Sequence, residues 1–211
     1  MALVTLQVVP HAIAGLGLGL ALASAPGPVQ AVLMAEAVRG GVARGFRAMA
    51  GANLTFGLLL VALALGLSVA PPSGPALRIL KVAGGGLLVW LAIDGFRSRH
   101  EVPSATAEHR SLPPAVRGAL AVLLNPGAWV FLGTAASSLL SGATDRGGSA
   151  SAVLVAVALI VGLAIGDGAV VLLGGVGVRR AGSHVRSWVW GVLAGLLAGL
   201  GIWLVISGIF G

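Results

Sequence analysis

The chain has 211 residues, of which 57% are hydrophobic and only 9% charged, with a net charge of +7 and no cysteine. A water-soluble domain carries about a quarter charged residues, so this composition excludes a soluble fold and marks an integral membrane protein, all-α by the reading below. The missing cysteine excludes disulfides, thiolate metal sites and thiol redox chemistry.

A membrane-crossing helix needs about 20 apolar residues at about 1.5 Å of rise each. Six segments meet that requirement, at 10–33, 46–70, 76–96, 117–140, 150–175 and 188–210. The opening MALVTLQVVP lacks the basic region of a cleavable leader, so none is expected. The first segment is interrupted by Pro26-Gly27-Pro28 and ends with Glu36, three residues before Arg39. The second carries Asn53 within GANLTFG. The third opens with Arg78 and Lys81, which share a face at this spacing, and closes on Asp94 beside Arg97, an expected interfacial ion pair like that of Glu36 with Arg39. The polar stretch RSRHEVPSATAEHRSLPP then reads as a linker over residues 97–116, between a first repeat at 1–96 and a second at 117–211. The fourth segment contains Asn125, Pro126 and Gly127 in LLNPGAW, and the loop SGATDRGG follows it. The fifth holds Asp167 in AIGDGAV, and the sixth carries Gly191, Gly195 and Gly199 as a small-residue stripe. Such a stripe admits close backbone approach, here expected to serve internal packing, with a homodimer seam as the alternative.

The basic residues are distributed unevenly. Arg39, Arg44 and Arg47, then Arg97, Arg99, Arg110 and Arg117, then Arg179, Arg180 and Arg186 occupy alternate connections, ten of the thirteen in all. Positive loops remain cytoplasmic, which places both termini outside and accounts for the net charge without nucleic-acid binding. Three crossings per repeat require the second repeat to enter the membrane upside down.

The two repeats also share a punctuation. Pro26-Gly27 and Pro126-Gly127 stand 100 residues apart, and a lone polar residue follows in each middle helix, Asn53 and Asp167. Proline inside a helix removes a backbone hydrogen bond and clashes with the preceding turn. In lipid, such a break is tolerated where it faces protein or a wet cavity. Paired breaks in inverted halves point to a central transport site. Counted at helical rise, Asn53, Pro126 and Asp167 lie roughly 10–13 Å from the inner membrane face, so they are expected to meet in one layer with Pro26.

At these residues the sequence resembles the lysine exporter family of amino-acid efflux proteins, including its homoserine/threonine branch. SAPGPVQAVLMAEAVRGGVARGFRAMAGANLTFG is similar to the family's first signature, and ILKVAGGGLLVWLAIDGFRSR to its third helix with a lysine near the outer end. RGALAVLLNPGAWVFLGT is similar to the fourth helix, IGDGAVVLLGG to the aspartate-bearing fifth, and GVLAGLLAGLGIWLV to the glycine-rich last. The resemblance implies six helices in a bacterial inner membrane and export of amino acids or related small metabolites on the proton-motive force. Gly127 stands where members often carry lysine, and tyrosine is absent, departures that bear on the substrate.

The candidate substrate-binding residues are therefore Pro26, Gly27, Pro28, Asn53, Lys81, Asn125, Pro126 and Asp167. Asp167 is a carboxylate within a span, suited to a substrate ammonium or to the coupling proton. Asn53 offers donors and an acceptor to a zwitterion. Asn125 is placed to cap the helix resuming at Pro126, whose end would present free amides to a substrate carboxylate. Lys81 corresponds to the family lysine and would guide an anionic group at the exit, against the plainer reading of a side chain reaching to outer headgroups. The expected partners are a small solute, a proton and the bilayer; no cofactor or metal is called for. No nucleophile with a base and no paired carboxylates support an enzyme. A membrane scaffold or lipid-handling protein of the same superfamily is the alternative to an exporter.

Overall fold

The computed structural model describes residues 2–67, 72–97, 112–178 and 180–210, with side chains described from residue 9 onward apart from those of Arg97, Ser183 and Arg186. The linker expected at 97–116 lies outside the described residues over 98–111, and so do Arg99, Arg110 and Arg179. Among the described residues the architecture is helical throughout, without a strand. Helix α1 is Ala2–Ser24, α2 Pro28–Gly40, α3 Val42–Ala64, α4 Gly74–Arg97 and α5 Pro114–Leu123. Helix α6, Pro126–Phe131, passes through a π-helical segment, Leu132–Ala136, into α7, Ser137–Leu172. A second π segment, Leu173–Val178, precedes α8, Ser183–Phe210.

Where the chain turns, the residue type explains it. Between α2 and α3 stands Gly41 at φ 81°, a left-handed conformation that costs glycine nothing. Helix α3 ends at Ala64, six residues short of the expected 70. There Gly66 (φ 82°) closes the helix with paired bonds, its own amide to Leu63 O and that of Leu67 to Ala62 O. The expected loop SGATDRGG is mostly helical, and α7 leaves helical geometry only at Gly147 and Gly148, which divide it into two arms. Four helical runs are long and apolar enough to cross a membrane, and α1 with α2, bent by 66°, makes a fifth. The run Pro126–Val178 counts once in that tally despite its break. Large apolar side chains such as Leu54, Ile79, Trp203 and Phe210 are exposed, as a lipid-facing surface requires.

Glycine contacts set the packing. Gly15 and Gly19 of α1 lie against Val155 and Leu159 of α7, and Gly166 meets Ala23, so α1 and the second arm of α7 run parallel. Gly51 of α3 meets Ala115, while Gly118 of α5 meets Ala48 and Ala52. Gly85 of α4 faces Gly201 of α8, and Gly95 faces Trp190, an antiparallel pair. The stripe Gly191, Gly195 and Gly199 is a correction: a Cβ at any of them would meet nothing within 4 Å, so α8 packs internally through Gly201 and Gly208 instead. That follows from the helical period, since 201 and 208 are two turns apart and lie off the face of the other three. At Gly118 a Cβ would press on the Ala48 carbonyl and sit 3.0 Å from the Ala52 amide. Alanine there gains about 1 kcal/mol of helix propensity. The overpacking penalty of about 1–3 kcal/mol prevails because the opposing atoms are backbone and have no rotamer to yield. Gly118→Ala is therefore expected to lower the melting midpoint of the purified protein in detergent, and an unchanged midpoint would refute the close crossing of α3 and α5.

Glu36 also departs from expectation, while the expected pair of Asp94 with Arg97 falls on a side chain outside the described ones. Glu36 is almost fully buried and accepts from Arg44 Nε at 2.6 Å and Arg117 Nη1 at 3.2 Å, whereas a local pair with Arg39 was expected. Arg39 crosses to Asp94 at 2.6 Å, and Arg117 reaches Asp94 at 2.8 Å. Arg117 also donates through Nε to Leu112 O and stacks over Trp90, 5.1 Å from the ring centre. Close packing of α2, α3, α4 and α5 makes these partners from distant segments reachable. One ionic cluster thereby joins four helices.

Candidate functional site

Two interruptions face one cavity. At the first, α1 closes with Ala25 N–H bonded to Ala21 O at 3.1 Å, Gly27 is extended, and α2 restarts with Pro28 in its first turn. Proline suits that position because its missing N–H would have no partner there anyway. No side chain caps α2, since Gly27 has none, so its leading amides lack an intrahelical partner. At the second, α5 ends at Leu123 and Asn125 caps α6, its Oδ1 accepting from Gly127 N at 3.0 Å. Ala128 N bonds Asn125 O, also at 3.0 Å. The amides that open α6 are thus occupied, and the uncapped helix start belongs to α2, the reverse of the expectation that Pro126 would precede free amides. Trp129 Nε1 donates to Leu123 O at 2.8 Å and so satisfies a carbonyl next to the break.

Between the interruptions lies a cavity of about 240 Å³. Pro26, Gly27, Pro28, Asn53, Asn125 and Asp167 line it. Pro126 does not, although its neighbours Asn125 and Gly127 do. Lys81 is elsewhere: its Nζ lies 3.4 Å from Ser207 O on α8. Gln30, which the sequence reading passed over, joins the polar lining. The signal for it was present, a lone amide side chain in the first turn after the Pro26-Gly27-Pro28 break. The remaining wall is largely apolar, with Leu22, Phe56, Val122 and Leu163. Phe56 is held by a tilted ring contact with Phe131, centroids 5.8 Å apart.

Asp167 is the one ionisable side chain among the described residues that line the cavity. It is fully buried, and among the described residues neither carboxyl oxygen has a hydrogen-bond partner within ordinary geometry. The amide atoms of Asn53 are likewise buried and unpartnered. Asn53 and Gln30 are the polar side chains near enough to Asp167 to interact with it. Gly162 and Gly166 bring α1 so close to α7 that Asp167 sits beside the first break. Buried polar groups are nearly always satisfied in folded proteins.

The model of the LysE type translocator family matches residues 20–208. No curated protein and no solved structure matches the chain.

Proposed function

Because the chain belongs to the LysE type translocator family, we propose that it exports amino acids or related small metabolites by alternating access through the cavity at the two breaks. The observation that carries this reading is the buried, unpartnered carboxylate of Asp167 on that cavity. A carboxylate at membrane depth must be neutralised whenever the site is closed to water. A proton or a substrate ammonium can each do so, and one displaces the other. Holding them in turn couples inward proton movement to outward solute movement, so Asp167 serves both substrate and proton.

Six crossings arranged as two inverted three-helix units complete the proposal. The first unit is α1–α2, α3 and α4; the second is α5–α6 with the first arm of α7, its second arm, and α8. The packing supports this arrangement. Exchanging the units turns the parallel pair of α1 with the second arm of α7 into the pair of α5 with α3, which is also closely packed. The antiparallel pair of α4 with α8 maps onto itself. With the basic connections cytoplasmic, both termini face outward, and residence in a bacterial inner membrane fits proton-driven export.

The test is flux in reconstituted vesicles loaded with a panel of amino acids. An imposed pH gradient, acidic on the side to which the solute leaves, is expected to accelerate release several-fold over protein-free vesicles. If no solute responds to the protein or to the gradient, the exporter reading fails and the scaffold or lipid-handling alternative takes its place.

A further inference from the structure

Resting on the exporter reading, we infer that the site selects amino acids with uncharged, apolar side chains and rejects basic ones. Two features of the cavity carry this. Its charge is a single carboxylate: among the described residues that line it, Asp167 is the one ionisable side chain. Its size, about 240 Å³, is below the range of about 300–1,000 Å³ usual for small-molecule sites, which leaves little room for the water that a second charge on the solute would need.

The two ends of a zwitterion then have separate places. The ammonium goes to Asp167, whose oxygens are buried and without partners. The carboxylate goes to the uncapped start of α2, where the amides of Val29 and Gln30 follow a proline that has none to offer. The helix end contributes a partial positive charge of about half a unit there, and the Asn53 amide joins the same lining close to Asp167. What remains for the side chain is the wall of Leu22, Phe56, Val122 and Leu163. A methyl-bearing side chain gains from burial against these residues. The second ammonium of lysine, or the guanidinium of arginine, would have no carboxylate left and no polar lining within the apolar wall. One charge stranded at membrane depth corresponds to a discrimination of about a hundredfold.

The experiment compares leucine and norleucine with lysine and arginine on the full-length protein, by flux from loaded vesicles and by ligand-induced shift of the melting midpoint in detergent. The expected result is flux and a shift with the neutral pair at concentrations about a hundredfold below those needed with the basic pair. Comparable flux for lysine would overturn the inference while leaving the exporter reading intact. No flux with any amino acid would defeat the exporter reading and the inference with it. A second carboxylate on the apolar wall, Val122→Asp or Leu163→Glu, is expected to raise relative lysine flux at least tenfold. If both variants fold, bind leucine and still do not admit lysine, the assignment of that wall to the side chain is wrong.

Discussion

Asp167→Asn is expected to abolish gradient-driven transport while leaving the folded protein at least as stable as the parent. The two halves of this prediction come from one cause. Asparagine nearly matches the shape of aspartate and retains an acceptor, but it neither takes up a proton nor neutralises an ammonium. A carboxylate at membrane depth costs about 2.5–3.5 kcal/mol on insertion scales, and Asp167 has only the neutral amides of Asn53 and Gln30 near it, with no cation among the described lining residues to offset that cost. Removing the charge relieves that penalty, so function and stability are expected to move in opposite directions, as they do where a site is held ready for a ligand. The measurement is flux in vesicles beside the melting midpoint in detergent. Asp167→Glu keeps the charge but lengthens the side chain by one methylene in a cavity of about 240 Å³, and is expected to transport slowly. Full flux in Asp167→Asn would remove Asp167 from the mechanism. Retained flux together with a lowered midpoint would make it a structural residue.

Much of that site could be read from local chemistry. Pro26-Gly27-Pro28 and Asn125-Pro126 both interrupt the chain, whereas Pro10, with no glycine or asparagine beside it, is carried inside α1. Asp167 and Asn53 announced themselves by polarity against an apolar background, and the depth count placed them in one layer. What escaped depends on partners far away in the chain. Arg117 read as one more positive charge in a loop, yet it is buried against Glu36, 81 positions earlier. Nothing in a helical period distinguishes an arginine that marks orientation from one that joins helices. The glycine stripe of α8 failed for the same reason, because spacing identifies a face but does not say what it meets. Lys81 was connected to the site by analogy with a family position, and geometry leaves it against α8. Gly66 was legible and overlooked: a glycine after a long apolar run is a stop signal, and apolarity beyond it does not extend the helix.

The ionic cluster yields the other large effect, and there the sign of the charge removed decides its size. Among the described residues the cluster holds three guanidiniums, of Arg39, Arg44 and Arg117, and two carboxylates, of Glu36 and Asp94. Glu36 engages both oxygens, one with Arg44 and one with Arg117, and is 2% exposed. Glu36→Gln keeps the shape but removes the carboxylate that holds both Arg44 and Arg117, with Arg117 only 1% exposed and poorly reached by water. Breaking a buried pair from one side destabilises by about 3–5 kcal/mol, and Glu36→Gln is expected to fall in that range. Arg117→Met removes a cation instead. It loses the contact with Trp90, but Glu36 keeps Arg44 and Asp94 keeps Arg39, so neither carboxylate is left without a cation. Its expected loss is smaller, about 1–3 kcal/mol, the size of an imperfectly refilled core site. In the double variant the buried guanidinium that Glu36→Gln deprives of a partner is gone, and it should be more stable than Glu36→Gln alone, a non-additivity of the kind coupled neighbours show. Melting midpoints of the three proteins, read in one detergent at one salt concentration, test the order. If Arg117→Met proves the more damaging single change, the cluster is held together by the packing of Arg117 and not by its charge balance.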